Sequence, residues 1–366
     1  MKINRLPAPT WRWMKVNGTE IQYTAGSKTG SCEERLPDGV TKATGSSSGD
    51  GAMVKTGLGE EFAGALSDIE TTVYSVKPGD NSAKKLYQNI IFETDSTPGG
   101  DSSAQSTDGF VNKNEFVLGD DSELTVIQFI STRDNANAGI LKAAVSNTYD
   151  IGVNSRLTLV QIQDLPEDSE FYNDCGGKCA DGGHFRRIQI VLGGGKTFMG
   201  DFCGLRGDRS SYTCDIAYYL QGEHQLDMNY IADHTGKRSE SDINISGVMS
   251  ENTSKIFRGT IDFHKGCSQS RGSEMEDVLL MDEGVVNRTV PLILCDEEDV
   301  EGSHGASIGR PDDNLVFYLA SRSLDRDAIY HMMARAKIDR VAGLIDDKET
   351  LDRIDEIMGD GKKADD

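Results

Sequence analysis

Between residues 193 and 295 the chain repeats one pattern, a run of alternating apolar residues followed by a polar, mostly glycine-bearing corner, and few architectures accommodate it. Tyr212, Cys214, Ile216, Tyr218 and Leu220 share one parity. So do Leu226, Met228 and Tyr230, then Ile243, Ile245 and Met249, then Phe257, Gly259, Ile261 and Phe263, then Val286, Val290, Leu292 and Leu294. A period of two buries one face of each run. Corners recur near Gly195, Gly207, Gly222, Gly236, Asn252 and Gly266, roughly twelve to sixteen residues apart and so below the periods of helical repeats. A hairpin meander also satisfies the alternation, but the hairpin dipeptides Asn-Gly and Asp-Gly are missing from these corners. The pattern therefore predicts a mainly β chain, a β-solenoid or parallel β-helix in which each rung shields the next from water.

The strand signal starts at Thr71. Runs at 73–76 and 90–92 flank a Lys77-Pro78-Gly79-Asp80 turn, and the ladder resumes at 124–130, 141–145 and 157–162. Residues 95–114, rich in Ser, Gly and Asp, read as a surface loop. Near the start, Pro7, Pro9, Trp11 and Trp13 suggest an arm held on the body by its aromatics, followed by a Gly/Ser-rich connection over 41–51. Leu58, Phe62 and Leu66 then predict a short amphipathic helix. Past residue 310 the period becomes helical. Asp312, Asp325 and Asp347 are N-cap candidates for helices carrying Leu315, Tyr318 and Leu319; Ile329, Met332, Met333 and Ala336; and Leu351, Ile354 and Met358. The expected organisation is an N-terminal arm and short helix over 1–70, a β-helix core over 71–310, a C-terminal helical segment over 311–358 and a disordered tail over 359–366.

Charge narrows the partners. With 38 basic against 60 acidic residues the chain carries −22, spread along its length. Nucleic acid and anionic membranes both recruit basic surface, so neither is expected. No apolar stretch approaches a membrane span and the first nine residues lack the apolar region of a signal peptide, so a cytoplasmic protein is expected. The seven cysteines, odd in number and without a secreted-scaffold spacing, read as free thiols in a reducing compartment.

Three places have residue types that carry chemistry. Gly193-Gly194-Gly195-Lys196-Thr197 imitates the end of a phosphate-binding loop, but Ile190 stands where the first glycine belongs and strand follows, which predicts a solenoid corner. Cys175, Cys179 and His184 form the densest set of metal-ligand types. Their C-x3-C spacing is unusual, Cys203 can fold nearby on an adjacent rung, and a corner with two unconnected thiols is the plain alternative. His304 stands between Ser303 and Gly305 where the last strand meets the helices, a position for a ligand, a proton carrier or a residue that ties a loop. No Ser/His/Asp order and no separated carboxylate pair stands out. The residues alone specify a solenoid with a special junction and no reaction.

At that junction Val290-Pro291-Leu292-Ile293, then Ser303-His304-Gly305-Ala306-Ser307-Ile308-Gly309, then Leu315-Val316-Phe317-Tyr318-Leu319-Ala320-Ser321-Arg322 resemble the C-terminal signature of the SufB/SufD proteins of iron–sulfur cluster assembly. Phe257-Arg258-Gly259, Leu279-Leu280 and Leu6-Pro7 echo it. The resemblance implies a right-handed parallel β-helix with short N-terminal and C-terminal helical segments, acting as a non-enzymatic scaffold. It implies pairing with a SufB-type β-helix subunit through the last strands and docking of a SufC-type ABC ATPase on residues 312–358, a region that includes Phe317, Tyr318, Arg322, Ile329 and Met333. It assigns His304 to the shared cluster-assembly interface. Where SufB-type chains offer a Cys and a Glu, this chain has Met275 and Ser303, so it is similar to the SufD type. Cys295 and Cys267, on late rungs, are further candidates for sulfur or metal, with packing as the alternative. No cofactor is expected to stay bound in isolation; iron or an Fe–S cluster would be held transiently at the partner interface. Exposed terminal strands leave a homodimer open for the chain alone. Two other readings stand beside this one: a β-helix carbohydrate-active lyase or hydrolase, and a stand-alone metal or cluster carrier built on Cys175, Cys179 and His184.

Overall fold

A computed structural model describes residues 1–10, 12–26, 30–45, 54–92, 108–133 and 141–359. From Thr72–Val76 onward each strand pairs with the strand after next, so one turn of the coil takes two strand runs and two corners. Gln225–His234, for instance, lies parallel to Ser254–Phe263 with Gln225 opposite Ser254, and Ser211–Leu220 lies parallel to Glu240–Met249. The stack builds a ten-stranded and a nine-stranded sheet that enclose one lumen. Tyr212, Cys214, Ile216, Tyr218 and Leu220 all point into it and are buried, as the alternation predicts. Gly193-Gly194-Gly195 is a corner leading into the strand Lys196–Leu205.

The early lumen is polar, and its groups satisfy one another. Gln88, Gln128 and Gln161 stack in register, with Gln128 donating to Gln88 and Gln161 to Gln128 at 2.8 Å each. Asn147 crosses from the other sheet to donate to Gln128 at 3.0 Å. Buried amides are tolerated when donors and acceptors close on each other in this way.

The N-terminal segment is more than an arm. Ser31–Arg35 pairs antiparallel with Lys85–Phe92, and Val40–Thr44 pairs antiparallel with Thr72–Val76, so one folded-back segment closes both sheets. The residues before and after it run over the outside of the ten-stranded sheet. There Arg258 donates to the Val16 carbonyl at 2.5 Å and Asn4 to Asp227 at 2.6 Å. Glycines let backbone meet backbone: a Cβ on Gly200 would lie 2.3 Å from the Gly57 carbonyl carbon, and one on Gly176 would lie 2.2 Å from the Lys55 oxygen. The short helix appears as Glu60–Ala65, with Leu58, Phe62 and Leu66 buried against the sheet. The aromatic anchoring expected of Trp13 fails: it is 77% exposed, because polar and backbone contacts hold the arm instead. Trp11 lies outside the described residues, as do 46–51 of the expected Gly/Ser connection, 95–107 of the expected loop and 360–366 of the tail. The rest of that loop is strand, Asp108–Leu118, because its polar residues lie in a polar lumen.

One parity is inverted. In the last strand of the ten-stranded sheet, Val286–Cys295, Thr289 lies opposite Phe257 and Ile293 opposite Ile261. Val286, Val290, Leu292 and Leu294 therefore face outward. Apolar residues occupy both faces here, so alternation could not choose between them.

The helices Asp313–Ser321, Arg326–Ala342 and Lys348–Gly359 follow. Asp312 caps the first through Asn314 N–H and Asp325 the second through Ala328 N–H, both at 2.8 Å, and Asp347 caps the third through Thr350 N–H at 3.0 Å. Ile338 and Val341 of the second and Ile354 and Met358 of the third cover an apolar outer face made by Ile127, Val160, Ile162, Ile188 and Ile190. The first helix buries no residue. No helix among the described residues is long and apolar enough to cross a membrane.

Candidate functional site

The two ends of the coil differ. Among the described residues, Val286–Cys295 and Val300–Gly309 at the C-terminal end each pair with a strand on one side only, leaving an edge of main-chain donors and acceptors beside the mouth of the lumen. His304 sits in the middle of Val300–Gly309, opposite Glu274 of the rung beneath. Gly302 fixes its direction: a Cβ there would touch Ile293 and Phe263, so this parity faces the lumen, and His304 shares it while remaining exposed at the mouth.

Beneath His304 the wall turns ionic. Lys255, Glu274 and Glu276 all occupy lumen-facing positions and are almost wholly buried. Lys255 and Glu276 form an ion pair, and the Thr289 hydroxyl donates to Glu276 at 2.5 Å. Burial pulls the Lys255 ammonium below its ordinary range against the pull of Glu276. Glu274, 3% exposed, is different. Its carboxylate lies over Gly259, where a Cβ would fall 2.0 Å from Oε2, and it makes no hydrogen bond or ion pair to a described residue. Burial lifts it to about 7, neighbouring Glu276 adds to the rise and Lys255 opposes it. The mouth thus offers one accessible imidazole above a carboxyl poised near neutrality.

The other predicted residues scatter. Met275 is exposed on the outer parity, its thioether against Gly305, and Ser303 is exposed. Cys295 is exposed at the end of its strand, whereas Cys267 is buried in a corner and burial pushes its thiol up. Cys175 and Cys179 lie not in a corner but in the strand Glu170–Cys179, where alternate residues point inward, and both are buried in the lumen. Cys203 does fold beside them, its Sγ 3.9 Å from that of Cys179. His184 instead bonds the Ser211 hydroxyl at 2.6 Å, and burial next to Arg156 and Arg186 lowers it to about 4. Cys175, Cys179 and His184 are not brought into one ligand group. Of the docking candidates, Phe317 and Tyr318 are 76% and 53% exposed and Arg322 is exposed. Ile329 is buried, and Met333 is half-buried against the solenoid around Tyr219, Val248 and Met281.

Sequence reasoning missed Lys255, Glu274 and Glu276. The signal was present, since Glu274 and Glu276 continue the parity of Val278 and Leu280, and Lys255 that of Phe257, which places three charges on an inward face.

The described strands thus form a parallel solenoid whose last two strands each pair on one side only, with a histidine above an ionic mouth. The chain belongs to the SufBD family of iron–sulfur cluster assembly: the model described as "SUF system FeS cluster assembly, SufBD core domain" matches residues 101–337. Its likeness is of the SufD type. It is 28% identical over 217 residues to the iron–sulfur cluster assembly protein SufD of Bacillus subtilis, covering 58% of this chain and 48% of that protein. It is 30% identical over 127 residues to an iron–sulfur cluster assembly SufBD family protein of Mycobacterium leprae, covering 35% of this chain and 14% of the other. A SufBD family protein of Synechocystis is 23% identical over 145 residues, covering 40% and 30%. The chain thus spans about half, or less, of the length of the curated relatives it matches.

Proposed function

We propose that this protein is a non-enzymatic scaffold subunit of a SufBCD-type complex. A SufB-type β-helix adds to the unpaired strands Val286–Cys295 and Val300–Gly309 through main-chain pairing. His304 then offers an imidazole nitrogen to iron, the cargo, while the partner contributes thiolate, a donor pair that suits iron. A SufC-type ATPase docks on the first C-terminal helix, whose exposed Phe317 and Tyr318 provide apolar area at low entropic cost. The observation that carries this reading is the exposed, lumen-mouth position of His304 on a strand with one free edge.

The test is His304→Ala co-expressed with a SufB-type and a SufC-type partner. Size-exclusion chromatography should show the complex intact, and visible absorbance of anaerobically purified complex should show cluster formation lost. Normal cluster formation by the variant overturns the role of His304, and failure of the parent chain to join either partner overturns the scaffold reading.

A further inference from the structure

On the outside of the ten-stranded sheet, away from the lumen and from His304, Asp233 and Asp262 lie directly opposite each other on adjacent parallel strands. Like charges so placed repel. His264 follows two residues later, its backbone fixed by N–H donation to the His234 carbonyl at 3.0 Å and by acceptance from Cys267 N–H at 3.2 Å. Its Nε2 lies 2.5 Å from Asp233 Oδ1 and 3.6 Å from Asp262 Oδ2. Among the described residues these three form the one group of His, Cys, Asp or Glu whose ligand atoms all lie within 4.8 Å of one another.

The charge around the group is unbalanced. Arg206 is ion-paired to the second oxygen of Asp233, Oδ2, and leaves Oδ1 facing the imidazole. Asp262 makes no hydrogen bond to a described residue beyond its contact with the ring. Burial holds its carboxyl above the usual range, with His264 and Lys55 opposing and both Asp233 and Asp296 adding to the rise.

We infer that Asp233, Asp262 and His264 form a binding site for a divalent first-row transition cation. Two carboxylate oxygens and one imidazole nitrogen suit ferrous iron, manganese or zinc, where soft metals would call for thiolate. Arg206 acts as the outer partner that orients a ligating carboxylate. A cation between the two aspartates removes a repulsion that one arginine only partly offsets. In the bound state the Nε2 lone pair faces the cation and the ring proton sits on Nδ1. His264 is 41% exposed, which leaves an entry path and room for water in the remaining coordination positions. The inference does not depend on the scaffold reading.

The experiment is a titration of the full, chelator-stripped chain with Mn2+ alone near neutral pH, reading free Mn2+ by electron paramagnetic resonance. The parent chain should bind about one equivalent saturably. Asp262→Asn and His264→Gln should each weaken binding at least about tenfold, the scale of losing one partner at a metal site, with circular dichroism showing both folded. His304→Ala should bind as the parent does. Absence of saturable binding, unchanged affinity in folded Asp262→Asn and His264→Gln, or loss of binding in His304→Ala each overturns the site.

Discussion

Replacing Glu274 with Gln tests the ionic mouth most directly. The carboxyl is lifted from an ordinary 4.5 to about 7 in the folded chain. A group that holds its proton more tightly when folded favours the native state at low pH. Its contribution is fully present below about 4.5 and is lost as pH rises through about 7, after which it stays lost. At about 1.4 kcal/mol for each tenfold difference in proton affinity, the elevation corresponds to about 3 kcal/mol. Glutamine keeps the shape and removes the titration, so Glu274→Gln should match the parent in acid and exceed it by up to about 3 kcal/mol above neutral pH. Asp174, also raised to about 7 by burial, loses stability over the same range, so the informative quantity is the difference between the two proteins and not either profile alone. Repeat folds need not unfold as one unit. Urea unfolding should therefore be paired with hydrogen exchange of the last rungs, where the protection gain should concentrate. Identical pH responses in parent and variant, or a variant weaker than the parent above neutral pH, would refute an unpaired carboxyl at this position.

Lys255→Met leaves Glu276 buried without its cation and should cost about 3–5 kcal/mol, whereas Lys255→Met with Glu276→Leu should recover most of that loss in the same urea titration. Gly200→Ala drives a methyl into the Gly57 backbone, so it should destabilise by about 1–3 kcal/mol and make the N-terminal arm sensitive to limited proteolysis. Phe317→Asp, at an exposed position, should change stability by no more than about 0.5 kcal/mol while reducing co-purification with a SufC-type ATPase.

Much of the coil was readable because its rule is local. A lumen-facing residue every second position and a corner after each run leave a trace that needs no knowledge of the partner strand, and aspartate caps mark Asp312, Asp325 and Asp347 in the same local way. What escaped was decided by distant contacts. Val290 and Leu292 look like core residues until the pairing of Ile293 with Ile261 turns them outward. Asn114 looks like loop until Asn147 accepts its amide hydrogen inside the lumen. Ser31–Arg35 and Val40–Thr44 look unstructured because the strands they pair with lie far along the chain. His304 was visible through its motif, but the carboxyl beneath it appears only once Gly259 is seen to make room for it.

The unlike ends of the stack govern arithmetic as well as shape. The end closed by Ser31–Arg35 and Val40–Thr44 turns Glu33, Arg35 and Lys42 to the surroundings on reversed strands, and charged edge strands discourage addition. The opposite end offers Val290, Leu292 and bare main chain. Under the proposed strand addition, the described strands leave one such edge, at the C-terminal end, so a coil joined there would present no second edge of that kind to a third molecule.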